Sequence, residues 1–128
     1  TLTLMLGIAS VMLLADAQLA HLKPSYTVNF FSDAMYIAWA AVVTQTSPDQ
    51  DFLDITGRDH EPLAFLSSNF KSSQVRWPTV EKEAFAAAEG VFRLEYLLYR
   101  ERGFHFYTDH HNLTYIFNPK GNGVTKRA

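Results

Sequence analysis

The sequence predicts a mixed fold, α+β or α/β, in which three antiparallel strands precede a helix and a further strand. Short aromatic and β-branched runs at residues 26–31 and 39–44 are typical of strands, and the segment DAMYIA between them suits a tight connection. A long helix-like run follows at residues 79–100, and the run FHFYTD, residues 104–109, again has the pattern of a strand. Strands and helices in this order are typical of one sheet with helices packed on it.

The composition limits the class of protein. With 128 residues, of which 48% are hydrophobic and 14% aromatic, the chain is expected to fold as one domain with a sizeable core. It contains no cysteine, which excludes disulfides and thiolate metal sites. The net charge of −2 argues against tight nucleic-acid binding through a basic surface, but it is compatible with a nuclease whose acidic residues hold metal ions.

The N-terminal run TLTLMLGIASVMLL is apolar but does not suit a membrane span. Asp16 follows it closely, so the run falls short of the roughly 20 residues that a spanning helix needs. The first lysine or arginine is Lys23, which does not fit the basic start of a secretory signal. We expect residues 1–18 to be the tail of a preceding element and residues 19–128 to form the domain. An uncleaved signal or anchor is the alternative for residues 1–18. We expect the protein to be intracellular, not secreted, and without a membrane partner.

The remaining elements follow from local composition. Residues 46–61 are rich in Asp, Pro and Gly and are predicted to form a loop, and PLAFLSS, residues 62–68, is predicted to be the third strand. Pro78 suits the start of the helix, and Glu81 lies in its first turn, where a carboxylate is favourable against the helix dipole. A second helix is expected after the fourth strand, near the end of the chain.

The periodicity of the long helix predicts which of its faces is buried. One narrow apolar face contains Val80, Ala84, Ala87, Val91, Leu94 and Leu98, and the opposite face contains Lys82, Glu89 and Arg93. Glu83 falls on the shoulder of the apolar face, about 60° from its centre. Its small neighbours Ala87 and Gly90 allow a close approach to a sheet. Glu83 is therefore predicted to point along the sheet, and a role limited to supporting the helix N-terminus is the alternative.

Three acidic residues are the best candidates for chemistry. Asp33 closes the strand-like stretch YTVNFFSD, Glu83 lies in the first turns of the helix, and Asp109 ends the run FHFYTD. Carboxylate oxygens are the ligands that hard divalent cations prefer, and a pair of such ions can stabilise both the attacking and the leaving oxygen of a phosphodiester. The three acids are therefore predicted to converge on one metal site.

Several segments of the chain resemble one known family. RWPTVEKEAF, followed by a long helix-like run and then TDHHNL, resembles the pattern T-x-E-K-E, helix, T-D-H-x-x-L of the RNase H domain in reverse transcriptases of gypsy-type LTR retrotransposons. SDAMYIAWAAVVTQ resembles the first hairpin of that domain, and EPLAFLSSNF resembles its third strand. The resemblance covers residues 19–119 and implies an RNase H-like mixed sheet, truncated at its C-terminus.

The resemblance also implies an activity. Asp33, Glu83 and Asp109 match the catalytic, metal-binding acids of an endonuclease that uses Mg²⁺, with Mn²⁺ as a substitute, to hydrolyse the RNA strand of an RNA–DNA hybrid. Expected partners are the hybrid and the polymerase and integrase domains of the same polyprotein, and residues 1–18 would belong to the polymerase or connection region. The family has a further ligand in a later helix, so this fragment alone is expected to be weak or inactive. His110 and Arg76 are candidate substrate contacts.

Other interpretations of these residues remain. Met35 and Ala40 stand where the family usually has Ser and Gly, which favours a non-catalytic remnant of a truncated element as the alternative; an integrase-like nuclease fits the order of elements less well. A zinc site at His110 and His111 is disfavoured. The basic residues at the helix start are expected to form a solvated face or to meet phosphates: Lys71, Arg76 and Lys82. Six aromatic residues are expected in the core rather than as platforms for base stacking: Phe30, Phe31, Trp39, Phe65, Phe104 and Phe106.

Overall fold

The fold is a mixed β-sheet with a helix packed on one face. A computed structural model describes residues 21–107 in full and the backbone of residues 114–118 and 123–127. The strands are β1 (Thr27–Ala34), β2 (Ala38–Thr46), β3 (Glu61–Asn69), β4 (Phe104–Tyr107), β5 (Thr114–Asn118) and β6 (Gly123–Arg127). The helices in the described residues are α1 (Thr79–Arg93) and the single turn α2 (Glu95–Leu98).

The strands form one sheet in the order β3-β2-β1-β4-β5-β6. β1, β2 and β3 form an antiparallel meander, and β4 then pairs with β1 in parallel. A parallel pair needs a crossover connection, and the segment between β3 and β4 that contains α1 and α2 supplies it. The predicted α+β class with three antiparallel strands, a helix and a returning strand is therefore confirmed.

Both predicted helices differ from the structure. The helix expected after β4 is wrong, because β5 and β6 pair there as antiparallel strands; the aromatic and β-branched run TYIFN favours a pleated strand. The long helix is interrupted at Leu94, whose backbone (φ −105°, ψ 17°) departs from helical geometry. The predicted loop at residues 46–61 contains two short 3-10 turns, Pro48–Gln50 and Ile55–Gly57.

The main core lies between α1 and the sheet. α1 approaches the sheet closely at Gly90, where an added Cβ would lie 2.6 Å from Phe30 Cζ and 2.9 Å from Ala41 Cβ. Only glycine therefore fits at this point of the helix. The buried residues of this core are Val28, Phe30, Trp39, Ala41, Val43, Leu63, Ala64, Phe70, Ala86, Leu94, Leu98 and Phe104.

A smaller cluster lies on the other face of the sheet. Phe31 and Val42 are fully buried there, with Phe65 and Tyr107 partly buried against them. All six predicted core aromatics are confirmed, since four are buried and Phe65 and Phe106 pack against the two clusters. No helix in residues 21–107 has the length and apolar character that crossing a membrane requires.

The buried face of α1 is not the predicted one. Its buried residues are Lys82, Ala86 and Gly90, and the same row continues to Leu94 and Leu98. The prediction is correct for Leu94 and Leu98. It is wrong for Val80 and Ala84, which are exposed, and Ala87 and Val91 are only partly buried. The face with Lys82, Ala86 and Gly90 lies about 120° around the helix from the predicted one. Hydrophobicity does not reveal this face, because two of its three residues are a lysine and a glycine.

Candidate functional site

Asp33 is the penultimate residue of β1, and its side chain lies on the face of the sheet away from α1. The next residue, Ala34, packs against the core beneath α1, and Phe31 lies in the cluster on the other face. Because side chains alternate along a strand, Asp33 shares the face of Phe31. The backbone N–H of Ala34 donates to Asp33 Oδ1 at 3.0 Å, which restricts the orientation of the carboxylate.

The same hydrogen bond indicates the direction in which the carboxylate points. The N–H of Met35 donates to Ala38 O at 2.7 Å, so the backbone N–H of Met35 points toward β2. In an antiparallel pair the backbone groups alternate in direction, so the N–H of Ala34 points away from β2, toward the β4 side of β1. The carboxylate of Asp33 accepts this N–H and therefore lies on that side. The described register of β1 with β4 ends at Phe31 and Tyr107, and Asp109 follows Tyr107 by two residues in the sequence.

Glu83 is half-buried on one flank of α1. It lies about 60° around the helix from the buried row, and Phe85 lies on the opposite flank. The ring of Phe85 contacts those of Trp39 on β2 and Phe70 after β3, with centroid distances of 6.3 and 6.0 Å. The flank with Phe85 thus faces β2 and β3, and the flank with Glu83 faces the other half of the sheet. The predicted shoulder position of Glu83 is correct even though the buried face is rotated.

Lys82 joins the start of α1 to the turn that follows β1. Its side chain is only 6% exposed, and Nζ donates to Tyr36 O at 2.6 Å. The ammonium also lies over the rings of Tyr36 and Phe70, at 4.7 and 5.4 Å from their centroids. The prediction that Lys82 lies on a solvated face is therefore wrong, because its cation is paired inside the fold. This contact brings Glu83 to the same end of the sheet as Asp33.

Two of the three predicted metal ligands are thus brought to one end of the sheet. Asp33 and Glu83 approach it from opposite faces, so they can meet only beyond the end of β1. Their carboxylates are the donors that Mg²⁺ prefers. Within residues 21–107, no group of three or more His, Cys, Asp or Glu side chains is arranged to hold a metal ion. Asp109, His110 and His111 lie outside the described residues, so the convergence of all three acids stays a prediction.

The other basic candidates lie in the turn before α1. Arg76 and Lys71 are both exposed there, and the backbone N–H of Lys71 donates to Gln74 Oε1 at 2.9 Å. Their position beside the start of α1 is the one expected from the sequence. The role of Arg76 as a substrate contact stays a prediction.

Lys82 is the residue of this region whose place the sequence analysis missed. A signal was present in the spacing of residues 82, 86, 90, 94 and 98, which follow one another at every fourth position. Such a row forms a single stripe along a helix, and its other four members are small or apolar. The positive charge of Lys82 obscured the stripe.

Comparison with protein families gives a match that covers most of the chain. No curated protein matches the sequence. A family model described as "RNase H-like domain found in reverse transcriptase" matches residues 23–128. This range includes the whole described sheet, both helices and the three candidate acids. The chain therefore belongs to the family of RNase H-like domains found in reverse transcriptase.

Proposed function

We propose that this domain is a metal-dependent endonuclease that hydrolyses the RNA strand of RNA–DNA hybrids within the reverse transcriptase polyprotein of a gypsy-type LTR retrotransposon. The observation that carries the proposal is the presence of Asp33 and Glu83 at one end of the sheet, in a chain that belongs to this family. The sequence motifs T-x-E-K-E and T-D-H-x-x-L support the assignment to the gypsy type.

The proposed ligands of Mg²⁺, or of Mn²⁺ in its place, are Asp33, Glu83 and Asp109. Divalent ions held there supply Lewis-acid stabilisation of the charge that develops on the phosphate during hydrolysis. Mg²⁺ requires oxygen ligands at about 2.1 Å, so the carboxylates must be held in a fixed arrangement. The hydrogen bond from the Ala34 N–H to Asp33 Oδ1, at 3.0 Å, contributes to that arrangement on the β1 side.

The proposed substrate contacts lie around this end of the sheet. Arg76 is exposed in the turn before α1, where its guanidinium is available to meet a phosphate of the hybrid. His110 directly follows Asp109 in the sequence and is proposed to contact the same substrate. Recognition of the hybrid would depend on its groove shape and 2′-hydroxyls rather than on base sequence.

The polyprotein context supplies the remaining partners. Polymerase and integrase domains of the same polyprotein are proposed to accompany this domain, which would act inside the cell, in a cytoplasmic particle or in the nucleus. The family assignment supports a polyprotein with other domains.

A non-catalytic role in the same family is the second candidate. The register of β1 with β2 places Ala40 directly opposite Asp33, and Met35 is half-exposed in the turn after β1. Both residues differ from the family pattern and both lie next to the candidate site. A remnant that keeps the fold but has lost the reaction would carry substitutions of this kind.

Metal titration combined with hybrid cleavage distinguishes the two candidates. Mn²⁺ should broaden NMR signals of Asp33 and Glu83, and the chain should cleave a labelled RNA–DNA hybrid slowly. Asp33→Asn should weaken metal binding and reduce cleavage about 100-fold, since it removes a negatively charged ligand. Asp54→Asn, an exposed aspartate in the loop after β2, is the matched control and should change neither.

Two results would contradict the proposed nuclease site. A folded chain without metal-dependent signals or cleavage would support the non-catalytic remnant. Cleavage that Asp33→Asn leaves intact would show that Asp33 is not a ligand.

A further inference from the structure

We propose that Lys82 is a positioning residue of the candidate site, which holds Glu83 in register with the end of β1. The inference rests on the proposed function and adds a residue to it. Lys82 precedes Glu83 directly, and its Nζ donates to Tyr36 O at 2.6 Å. The two side chains leave α1 about 100° apart, so Lys82 faces the sheet while Glu83 lies on the flank.

Packing alone does not account for a lysine at this position. The other members of the row are Ala86, Gly90, Leu94 and Leu98, and an unbranched apolar residue such as methionine would fill the same volume. Burial of an ammonium is unfavourable unless it is paired. The carbonyl of Tyr36 and the two aromatic faces at 4.7 and 5.4 Å provide that pairing. The lysine therefore makes a directional contact that an apolar residue could not make.

The contact partner is itself fixed to the strands. The turn after β1 is closed by the N–H of Met35, which donates to Ala38 O at 2.7 Å. It is joined to the end of β3 by the N–H of Phe70, which donates to Ile37 O at 2.8 Å. Lys82 thus connects the first turn of α1 to a rigid turn that begins two residues after Asp33. Through this connection it limits the movement of Glu83 relative to Asp33.

A small displacement of a ligand has a large effect on a reaction of this kind. A misplacement of about 1 Å in an active site can reduce the rate by about 100-fold. Because the Lys82 side chain is only 6% exposed, it is shielded from a bound hybrid. Its removal should therefore affect metal binding and kcat, and leave the KM for the hybrid nearly unchanged.

Lys82→Met is the informative variant, since it keeps an unbranched side chain and removes the ammonium. In the metal-free chain, we expect faster hydrogen exchange at the Phe70 amide and a shifted carboxylate 13C signal of Glu83. Affinity for Mn²⁺ should fall about tenfold, as for residues that orient a metal ligand. The kcat for hybrid cleavage should fall by a similar factor. Lys82→Arg restores a cationic donor and should recover part of both losses.

Two controls separate positioning from general destabilisation. Lys23→Met removes an exposed lysine that pairs with Glu61 before the start of β1, and it should change none of these measurements. Leu98→Ala removes a buried side chain of α2 from the main core, so it should lower the free energy of unfolding without changing Mn²⁺ affinity. If Lys82→Met does not fold, the same measurements are made on Lys82→Arg and Lys82→Gln, because the arginine keeps the positive charge and the glutamine does not. Equal Mn²⁺ affinity in these two variants would overturn the proposal.

The outcomes distinguish this inference from the proposed function. If Asp33→Asn abolishes metal binding and cleavage while Lys82→Met leaves both at the wild-type level, the role of Lys82 is wrong and the nuclease stands. If the wild-type chain neither binds Mn²⁺ nor cleaves the hybrid, both proposals are wrong.

Discussion

His60 connects the loop after β2 to the sheet through both nitrogens of its ring. Nε2 donates to Ile55 O at 2.7 Å, which leaves Nδ1 to accept from the hydroxyl of Thr44, also at 2.7 Å. Thr44 Oγ1 in turn accepts from Asn29 Nδ2 at 3.3 Å inside the sheet. This chain of hydrogen bonds requires the neutral imidazole, because a proton on Nδ1 would remove its acceptor.

We therefore expect stability to depend on the protonation of His60. Burial lowers the pKa of His60, and Arg58 adds to this effect, whereas the bond to Ile55 O and the charge of Asp59 raise it. Because the pKa is lower in the folded state, the contribution of His60 is complete above about pH 6.5, the pKa of an unperturbed histidine. It is lost as the pH falls through the folded-state pKa.

Urea unfolding at pH 7.5 and pH 5 measures this dependence. The free energy of unfolding should fall between the two values in the wild-type chain, and it should fall less in His60→Gln. The same loss in both chains would show that other groups cause the effect.

At the scale of the elements, Gly90 determines how closely α1 packs on the sheet. Gly90→Ala should lower the free energy of unfolding by about 1–3 kcal/mol, although alanine is the better helix former, because the new methyl overlaps buried groups. Phe30 Cζ at 2.6 Å and Ala41 Cβ at 2.9 Å are both in fully buried residues and have little room to move. Gly57→Ala is the control, since its Cβ would meet only Leu53 Cβ at 3.9 Å. Thermal unfolding compares the two variants, and equal changes in Tm would contradict this account.

Leu94 lies where the long helix is interrupted, and its side chain is still part of the core. Its side chain is 2% exposed, so Leu94→Ala should cost roughly 2–5 kcal/mol of unfolding free energy. Glu83→Gln, measured without metal, should change the same quantity by less than about 0.5 kcal/mol, as is usual away from the core. Urea unfolding of both variants checks this contrast. A strongly destabilised Glu83→Gln variant would indicate that Glu83 has a structural role instead.

The elements also show where sequence reasoning succeeds. Alternating or continuous apolar runs identify β1, β2, β3 and β4, because burial of one or both faces of a strand imposes a short, clear period. The face of α1 is harder to predict, since Val80 is 63% exposed while Lys82 is buried. Hydrophobicity alone favours valine for the core, and only the tertiary contact of Lys82 with Tyr36 O reverses that preference.

The same distinction applies to the candidate site. The position of Asp33 and Glu83 at element ends is visible in the sequence. The face of the sheet that carries Asp33 is not, because it depends on the register of β1 with β2, which pairs Ala34 with Trp39. A shift by one residue would transfer Asp33 to the α1 face.

For the whole molecule, the charge distribution determines how the domain should hold a nucleic acid. A net charge of −2 provides little general attraction for a polyanion, so the hybrid affinity of this chain should be low and only weakly dependent on salt. If Arg76 contacts a phosphate, Arg76→Ala should reduce the slope of log K against log salt by about one unit. Arg102→Ala is the control, because Arg102 donates to Ser25 O at 3.1 Å near the start of β1, away from Asp33. Fluorescence anisotropy at several KCl concentrations measures both slopes, and equal slopes for wild type and Arg76→Ala would exclude this contact.

The parallel pairing of β1 with β4 also has a consequence for the order of folding. β1, β2 and β3 pair with their neighbours in the sequence, whereas Phe30 must find Phe106 across the whole crossover. Such contacts are slow, since the entropy lost in closing a long loop precedes any gain from the contact. A chain leaving the ribosome can complete its meander, with Asp33 already at a strand end, before β4 has been synthesised. The candidate site is therefore among the last parts of this domain to become native, and it depends on contacts that local sequence cannot provide.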